Sequence, residues 1–473
     1  ARRDVAARAQ TAGSAVRIQA TVIDDAFIAE IIHQPGEQAS IKYLVHREGQ
    51  EPEIAASVTV GAVTYMPPQT RLVDLGCLKL ATAAEDYGDA GDLFRNVRFF
   101  IRSYVHLVDT KYLNIAAFYV MLSWVFDKFP IVPYLRLRGD IGVGKTTMIE
   151  CVGSLCFRGI FAGGATTAAP IFRILDRFHG TLVLDEGDYN ERSEIWGDMN
   201  KILNVGNRRG FPVLRAERKQ QNEQFDTEAY DVYSPKIIST RHEFPDLALE
   251  SRCLSHTMTK SGMPDSMPLF FDEDFHMGAQ QIRNQLLRFR FQTYRGATAD
   301  PRQRFRGLDA RLNQILIPLL AITDDPAMHS EVLAHARRYQ VQLRDGRRDS
   351  AEGKVAGALL DVWKRRPTFL KDGVEHRANE VQLKTVNERI EQKFSESERL
   401  KAKTVGKIVR GALGFETANR SGQVWIAIIQ DDINRLIDEY ALVDEDQVVV
   451  PVPSRLALQG HVSRTPVPRE PVA

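Results

Sequence analysis

The sequence predicts an α/β fold built around a parallel sheet, and three observations support this prediction. From residue 131 to about residue 259, strand-like runs alternate with helical ones, which is typical of an α/β core with a largely parallel sheet. Residues 14–80 contain short β-like runs broken by Gly, Pro and Glu, which indicates a small β-rich unit before the core. Residues from about 277 to 345 look wholly helical.

The composition is that of an ordinary globular protein. The chain has 473 residues, of which 44% are hydrophobic and 26% are charged, so wholesale disorder is excluded. Lys and Arg number 62 and Asp and Glu 61, so any binding to nucleic acid needs local basic patches. The four cysteines form no C-x-x-C pair, which argues against a disulfide framework or a Cys-rich zinc site.

Nothing in the sequence indicates a membrane protein. The longest apolar run, around residues 115–126, is too short to span a bilayer, and no secretory signal stands at the start. We therefore expect a cytoplasmic protein of a reducing compartment, without a membrane partner. The sequence begins with Ala1 rather than Met, which leaves an upstream domain open.

Changes in the hydrophobic pattern divide the chain into six segments. We expect a β-rich N-terminal domain (1–85), a helical lead-in (86–130), the α/β core (131–275), a helical lid (276–348), a C-terminal domain of helices and a hairpin (349–445), and a Pro-rich tail (446–473).

The strongest motif is a complete G-x-x-x-x-G-K-T sequence between a strand-like run, YLRLR, and an amphipathic helix. In such a loop, glycines turn backbone N–H groups toward phosphate oxygens, the lysine adds positive charge, and the following hydroxyl ligates Mg²⁺. Arg136 and Arg138 fit less well, since a buried central strand should be almost wholly apolar. The sequence predicts that ATP is bound by Gly139, Asp140, Ile141, Gly142, Val143, Gly144, Lys145, Thr146 and Thr147.

Two carboxylates follow an apolar run forty residues after Lys145. Asp185 and Glu186 end the run TLVL, so both carboxylates should lie near the phosphate-binding loop. We expect Asp185 to hold Mg²⁺ with Thr146, and Glu186 to orient or deprotonate the water that attacks the γ-phosphate. The alternative is a strand end with two solvated acids.

These motifs resemble those of P-loop ATPases of the AAA+ class. The resemblance implies a parallel sheet of order 5-1-4-3-2, with a short strand at residues 159–162, a helix opening at Pro170 and a fourth strand at residues 235–240. The AAA+ class has a sensor residue at the end of that strand, which implies that Thr240 bonds the γ-phosphate or the attacking water. The alternative is that the Thr240 hydroxyl only forms a hydrogen bond with the backbone at the end of its own strand.

The segment ALESRCL at residues 248–254 resembles the Leu-x-Ser-Arg segment of MCM-type helicases. There the arginine enters the neighbouring subunit's site, so the match implies that Arg252 acts in trans within a homo-oligomeric ring, a hexamer. There are two alternatives. Arg252 forms a surface salt bridge, or Arg241 is the arginine finger, the arginine that enters the neighbouring subunit's site. For a second sensor in the lid we expect Arg311, with Arg306 as the alternative.

Two features point to DNA as the partner. The runs FPVLRAE and QFDTEAYDVY, joined by a basic tip, resemble the pre-sensor-1 hairpin of ring helicases, which implies that Arg215, Arg218 and Lys219 contact single-stranded DNA. The alternative is a solvated surface hairpin.

The C-terminal segment looks like a winged helix, with helices at residues 350–365, 381–394 and 397–413, a hairpin with Asn-Arg-Ser-Gly at its turn, and a last helix at 430–442. Its candidate contacts to duplex DNA are Lys401, Lys403, Lys407, Arg410 and Arg420, although such a face can also be merely solvated or bind protein.

Together these resemblances imply an ATP-dependent DNA helicase or translocase of phage, plasmid or mobile-element type, which works as a ring with ATP and Mg²⁺. Two alternatives remain open. A protein-remodelling ring would use an aromatic pore loop, which residues 161–163 could mimic. A nucleotide-switched DNA-binding regulator would bind DNA without unwinding it.

Overall fold

The computed structural model describes residues 15–36, 39–107, 109–185, 194–218, 225–244, 246–260, 267–323, 325–371 and 374–442. The chain divides into two compact units, Ala1–Gln340 and Val341–Ala473. The finer division into six segments stays a prediction. Within the described residues, no helix combines the length and apolar character that crossing a bilayer requires.

The N-terminal region forms two small sheets. One has four antiparallel strands in the order β2-β3-β4-β5, and the other has the order β1-β7-β6, in which β1 and β7 are parallel. Alternate residues such as Ala29 and Ile31 in β3, and Tyr43 and Val45 in β4, lie in one hydrophobic cluster. The strands are β1 (Ala15–Ile18), β2 (Thr21–Ile23), β3 (Ile28–Gln34), β4 (Ser40–His46), β5 (Glu53–Ala55), β6 (Val58–Val60) and β7 (Val63–Met66).

The central region is an α/β sandwich around a five-stranded sheet. All neighbouring strands of this sheet are parallel, and their order is β14-β8-β13-β10-β9. The predicted parallel α/β core is therefore confirmed. The elements are α1 (Ala90–Tyr104), α2 (Thr110–Ser123), β8 (Tyr134–Arg138), α3 (Lys145–Leu155), β9 (Ile160–Ala162), α4 (Ala168–Phe178), β10 (Leu182–Leu184), α5 (Glu194–Val205), β11 (Val213–Arg218), β12 (Phe225–Tyr230), β13 (Lys236–Thr240), α6 (Leu247–Glu250) and β14 (Cys253–Thr257).

The N-terminal strands share their hydrophobic core with the α/β region. The cluster that contains Tyr43 also contains Ile160 and Leu182 of the large sheet. The chain that leaves the N-terminal region then runs along the edge strand β9, where Phe161 N–H donates to the Cys77 carbonyl at 2.8 Å. The two regions are thus packed against each other through apolar side chains and backbone hydrogen bonds.

Three helices follow the sheet, α7 (Glu273–Thr293), α8 (Ala310–Leu320) and α9 (Pro326–Asp349), and α9 contains the division between the two units. The stretch is not wholly helical as predicted, because residues 294–309 separate α7 from α8. Helix α7 packs against α1 and α3, whereas α8 packs against α2. The side chain of Asn284 in α7 accepts the Thr82 N–H at 2.9 Å, so α7 is attached to the N-terminal region.

A buried network of four charges joins the N-terminal sheet, the lead-in, the core and α7. Arg290 donates from Nε to Glu30 Oε1 at 2.7 Å, and its two terminal nitrogens donate to both oxygens of Asp127 at 2.8 Å. Arg158 donates to the other oxygen of Glu30 and, at 2.9 Å, to the Ala20 carbonyl. Glu30 is 1% exposed, Arg158 3% and Arg290 0%. These three charges therefore depend on their partners rather than on water, whereas the Asp127 side chain is 26% exposed.

The second unit has its own hydrophobic core, formed by residues such as Val355, Trp363, Val386, Val405 and Ile426. Its three-stranded sheet has the order β17-β19-β18, and the turn between β18 and β19 has positive φ at Ser421 and Gly422, as a type I′ turn requires. The elements are α10 (Ala351–Lys364), β15 (Thr368–Lys371), β16 (Val374–Arg377), β17 (Glu380–Gln382), α11 (Leu383–Lys393), α12 (Ala402–Arg410), β18 (Thr417–Arg420), β19 (Gln423–Ala427) and α13 (Gln430–Tyr440).

Two features of this unit differ from the prediction. A separate hairpin, β15 with β16, follows the first helix and was not expected. The third helix begins at Ala402 rather than near residue 397, because residues 396–398 form a single 3₁₀ turn.

Candidate active site

The glycine-rich loop connects the interior strand β8 to helix α3, and two of its glycines illustrate why the loop needs glycine for steric reasons. Gly139 has φ of 152°, and a Cβ there would lie 2.5 Å from the Met258 carbonyl oxygen. Gly144 has φ of 87° and precedes the first residue of α3, Lys145. A left-handed backbone at both positions costs a glycine little. The loop therefore leads into a helix N-terminus, whose N–H groups are available for an anion.

Lys145 lies folded against its own loop. Its Nζ donates to the Gly139 carbonyl at 2.6 Å and to the Asp140 carbonyl at 2.7 Å. Both acceptors are neutral, and a phosphate oxygen is a stronger acceptor for an ammonium group than a carbonyl is. The geometry thus holds a cation at the loop that an anionic ligand could attract.

Asp185 lies at the carboxyl end of β10 and receives two hydroxyl groups. Thr146 Oγ1 donates to its Oδ2 at 2.9 Å, and Ser239 Oγ donates to its Oδ1 at 2.5 Å. The three residues meet because β10 and β13 are parallel neighbours, so their carboxyl ends lie at the same edge of the sheet as the loop. Carboxylate and hydroxyl oxygens are ligands of the kind that Mg²⁺ prefers, so Thr146 and Asp185 fit the predicted magnesium site.

At the end of β13 it is Ser239, rather than the predicted Thr240, that lies beside Asp185, and the role predicted for Thr240 stays a prediction. Successive side chains of a strand point to opposite faces, and it is Ser239 that reaches Asp185 and the cavity beside the loop. Thr240 is 2% exposed and does not line this cavity, and its hydroxyl has no hydrogen-bond partner among the described residues.

A cavity of about 460 Å³ opens beside the loop and is large enough for a nucleotide. Its lining includes the loop, Asp185 and Ser239, and also apolar side chains such as Met258 and Leu269. We did not anticipate several residues of the cavity from the sequence, because they come from segments without a motif. These residues are Tyr104, Val105, His106, Met258, Lys260, Pro268 and Leu269. Arg241, which we considered as the finger, also lines the cavity of its own chain.

Glu186, the predicted water-orienting acid, lies outside the described residues. Its chain neighbour Asp185 lines the cavity. The role of Glu186 stays a prediction.

The two arginines predicted as finger and second sensor lie away from this cavity. Arg252 donates from Nε to Asn207 Oδ1 at 3.2 Å and also to the Ala248 carbonyl, and neither Arg252 nor Arg311 lines the cavity. Burial, and the positive charges of Arg252 and Arg208, lower the pKa of the Arg311 guanidinium. The roles predicted for Arg252 and Arg311 therefore stay predictions.

The predicted hairpin is present directly before β13. Strands β11 and β12 pair from Val213 opposite Tyr230 to Arg218 opposite Phe225. The tip with Lys219 lies outside the described residues, as does the side chain of Arg218. Arg215 donates to Asp198 of α5 at 3.2 Å, so this guanidinium attaches the hairpin to a helix and is already paired.

Helix α12 of the second unit has two distinct faces. One face is buried and includes Val405, Ile408 and Val409. The other carries exposed basic residues for which no ion pair is found in the described part of the chain, namely Lys401, Lys403, Lys407 and Arg410. Arg420 differs from them, because it donates two hydrogen bonds of 2.8 Å to Glu380. The basic face of α12 is therefore the stronger candidate for an anionic partner, and Arg420 the weaker one.

Comparison with known proteins gives matches to solved structures only. No family model matches the chain, and no curated protein is similar to it in sequence. The C-terminal region of NrS-1 is 10% identical over 85% of this chain and 96% of that chain, with a TM-score of 0.34. A full-length MCM homologue from Methanopyrus kandleri is 13% identical over 67% and 78%, with a TM-score of 0.31, and the JCV helicase is 11% identical over 54% and 61%, with a TM-score of 0.23. Identities and scores this low place the chain in no family.

Proposed function

We propose that this chain is a Mg²⁺-dependent ATPase of the AAA+ type that works as a ring on DNA, as a helicase or translocase. The observation that carries the proposal is the cluster of Thr146, Asp185 and Ser239 beside the glycine-rich loop and Lys145. The hydroxyl contacts at 2.9 and 2.5 Å bring a metal-binding carboxylate to a phosphate-binding loop at the edge of a parallel sheet. This combination suits phosphoryl transfer.

The proposed chemistry is divided among the residues of the cavity. The N–H groups at the start of α3 and the ammonium of Lys145 bind the phosphates, and apolar side chains of the cavity such as Met258 and Leu269 pack against the base. Mg²⁺, when bound by Thr146 and Asp185, supplies positive charge against the β- and γ-phosphates. Ser239 orients the γ-phosphate or the attacking water, and Glu186 accepts a proton from that water.

The ring is supported by where the arginines lie. Arg252 and Arg311 do not line the cavity of their own chain, which is compatible with a phosphate presented by a second chain. We propose that Arg252 reaches the γ-phosphate held by a neighbouring protomer, in a head-to-tail ring of six. The observed order β14-β8-β13-β10-β9 agrees with the order expected for the AAA+ class.

DNA as the substrate is supported by two separate surfaces. Residues 231–235 link the hairpin β11–β12 to the start of β13, and Ser239 near the end of β13 contacts Asp185. One strand therefore connects the hairpin to the proposed nucleotide site. We propose that the hairpin follows single-stranded DNA and that the basic face of α12 binds duplex phosphates.

The test combines ATP hydrolysis with strand displacement on a forked DNA substrate. Lys145→Ala should abolish both activities, whereas Lys201→Ala, at a side chain that is 77% exposed and distant in sequence from the loop, should leave both unchanged. Hydrolysis by the Lys145→Ala variant at the wild-type rate would refute the site. Hydrolysis without strand displacement or DNA-stimulated turnover would refute the DNA motor and favour a remodelling ring or a nucleotide-switched regulator.

A further inference from the structure

The interior strand β8 carries two arginines that the apolar pattern of a buried strand does not explain. Arg136 and Arg138 alternate with Leu135 and Leu137, so both arginines point to the same face of the sheet. Arg136 is 0% exposed. The strand leads directly into Gly139, the first residue of the phosphate-binding loop.

Both arginines bind the segment that connects β13 to β14. Arg136 donates to the carboxylate of Glu250, and its guanidinium lies 4.5 Å from the ring centroid of Phe244. Arg138 donates to the carboxylate of Glu243 and, at 2.9 Å, to Thr257 Oγ1. The two ends of residues 243–250 are thus held by alternate residues of one strand.

The contact between Arg136 and Glu250 is buried. Glu250 is 8% exposed and accepts, besides Arg136, the Ser255 hydroxyl at 3.2 Å and the Phe244 N–H at 3.4 Å. Nε and Nη2 of Arg136 have no hydrogen-bond partner among the described residues. A buried ion pair of this kind contributes little net stability, since an apolar pair of similar volume is often as stable. We therefore interpret the Arg136–Glu250 pair as a contact that holds the segment after β13 in a defined position, and not as a source of stability.

Glu250 ends α6, two residues before Arg252. The Arg252 N–H donates to the Leu249 carbonyl at 3.0 Å, and the Arg252 carbonyl accepts the Tyr134 N–H of β8 at 2.9 Å. The backbone of Arg252 is therefore held between α6 and the strand that carries Arg136. A movement of β8 relative to α6 would change the direction in which the Arg252 side chain extends.

We propose that Arg136 and Glu250 are positioning residues that connect the phosphate-binding loop of one protomer to the Arg252 that this protomer offers its neighbour. This inference rests on the proposed ring with shared sites. In that ring the Arg136–Glu250 pair sets the direction of the Arg252 side chain according to the position of β8. The pair therefore affects ATP hydrolysis in the site shared with the neighbouring protomer, and it does not affect nucleotide binding at the loop of its own protomer.

Mixing two variants in one ring shows whether Glu250 acts on the nucleotide site of its own protomer or on that of the neighbour. Each shared site takes its loop from one protomer and its arginine from the next, so Lys145→Ala and Arg252→Ala, inactive alone, should together recover about a quarter of the wild-type rate. Glu250→Gln alone should bind a fluorescent ATP analogue normally and hydrolyse ATP about 10²-fold more slowly, because a small misplacement of a catalytic group costs this much. Mixed with Lys145→Ala it should recover to the same quarter, and mixed with Arg252→Ala it should not recover.

The opposite pattern would overturn the inference. Recovery of Glu250→Gln with Arg252→Ala only would mean that Glu250 serves its own loop, and recovery with neither partner would mean general damage. A wild-type rate for Glu250→Gln alone would exclude any role. The double variant Arg136→Met with Glu250→Met leaves no unpaired buried charge and must give the same pattern as Glu250→Gln.

One control separates this inference from the function on which it rests. If Lys145→Ala and Arg252→Ala fail to complement each other, the shared site is refuted, and the inference falls with it. If they complement and Glu250→Gln fails to recover with Lys145→Ala, only the inference is refuted.

Discussion

Replacement of Glu30 by glutamine should destabilise the first unit strongly, because Glu30 is shared by two buried arginines. Its carboxylate accepts from Arg290 at 2.7 Å, from Arg158, and from the Thr21 hydroxyl at 3.0 Å. A glutamine in the same place keeps the volume, but its NH₂ group must face one of these guanidinium groups, donor against donor.

The magnitude follows from the charges in the network. Arg158 and Arg290 balance Glu30 and Asp127, and the loss of Glu30 leaves two buried cations with one carboxylate. Removal of one partner from a buried ion pair costs about 3–5 kcal/mol. Because a folded domain is stable by only about 5–15 kcal/mol, this loss should be large in any unfolding experiment.

Helix α7 offers a matched control. Arg288, two residues before Arg290, pairs with Glu51 at 2.9 Å, but the Glu51 side chain is 82% exposed. The same substitution at Glu51 should therefore cost far less, because an exposed ion pair contributes little to stability. Raised salt should weaken the effect at Glu51 and leave the effect at Glu30 nearly unchanged, since buried pairs are screened less.

The midpoint of urea unfolding of the first unit is measured for both variants and for the wild type. We expect the midpoint to fall much further for Glu30→Gln than for Glu51→Gln at an unchanged slope. Equal shifts for the two variants, or a cost of less than about 1 kcal/mol at Glu30, would refute the reasoning from burial.

Three further predictions concern single sites. Ser239→Ala should slow saturated ATP hydrolysis by about ten-fold or more, whereas Thr240→Ala should leave the rate near that of the wild type; equal rates would contradict the assignment of Ser239. Burial lowers the pKa of His335 from 6.5 to about 4, so the stability that its neutral form contributes is complete above pH 6.5 and is lost as the pH falls from 6.5 to 4. Between pH 7.5 and 4.5 the wild type should therefore lose about 2–3 kcal/mol more than His335→Leu in urea unfolding, and parallel losses would exclude this role. Replacement of Lys403 and Lys407 by alanine should weaken duplex binding and reduce the slope of log affinity against log salt by about 2 in anisotropy titrations; an unchanged slope would exclude the α12 face.

The sequence was sufficient for the parts of the site that local spacing determines. A glycine-rich loop between a strand and a helix, and an acid after a second apolar strand, must meet when the strands are parallel, and Lys145, Thr146 and Asp185 do so. The choice between Ser239 and Thr240 could not be made this way. It depends on which face of β13 points to the loop, and the sequence KIIST has no polar–apolar alternation that reveals the face.

Features formed by residues distant in sequence were the hardest to predict. Helix α7 has an ordinary helical pattern, yet its partners include Glu30, Glu51 and Thr82, which lie 202–260 residues earlier. The hairpin β15–β16, by contrast, had a local signal that we missed, because an Asp-Gly dipeptide separates its two strands in the sequence.

Charged residues within apolar strands were the most informative departures from pattern, and they separate into two kinds. A buried charge needs a partner, so Glu30 in β3 and Arg136 in β8 each indicate an opposite charge elsewhere in the fold, and the structure provides it in Arg290 and Glu250. Lys236 in β13 differs, because its ammonium donates at 2.9–3.0 Å to three backbone carbonyls, at residues 206, 232 and 234, and burial lowers its pKa to about 7. Those carbonyls lie at the two ends of the segment that carries the hairpin β11–β12. A carboxylate would join Lys236 to a single point, whereas three carbonyls close the base of the hairpin against the strand that also carries Ser239, and for that role an ammonium with three donors is suited.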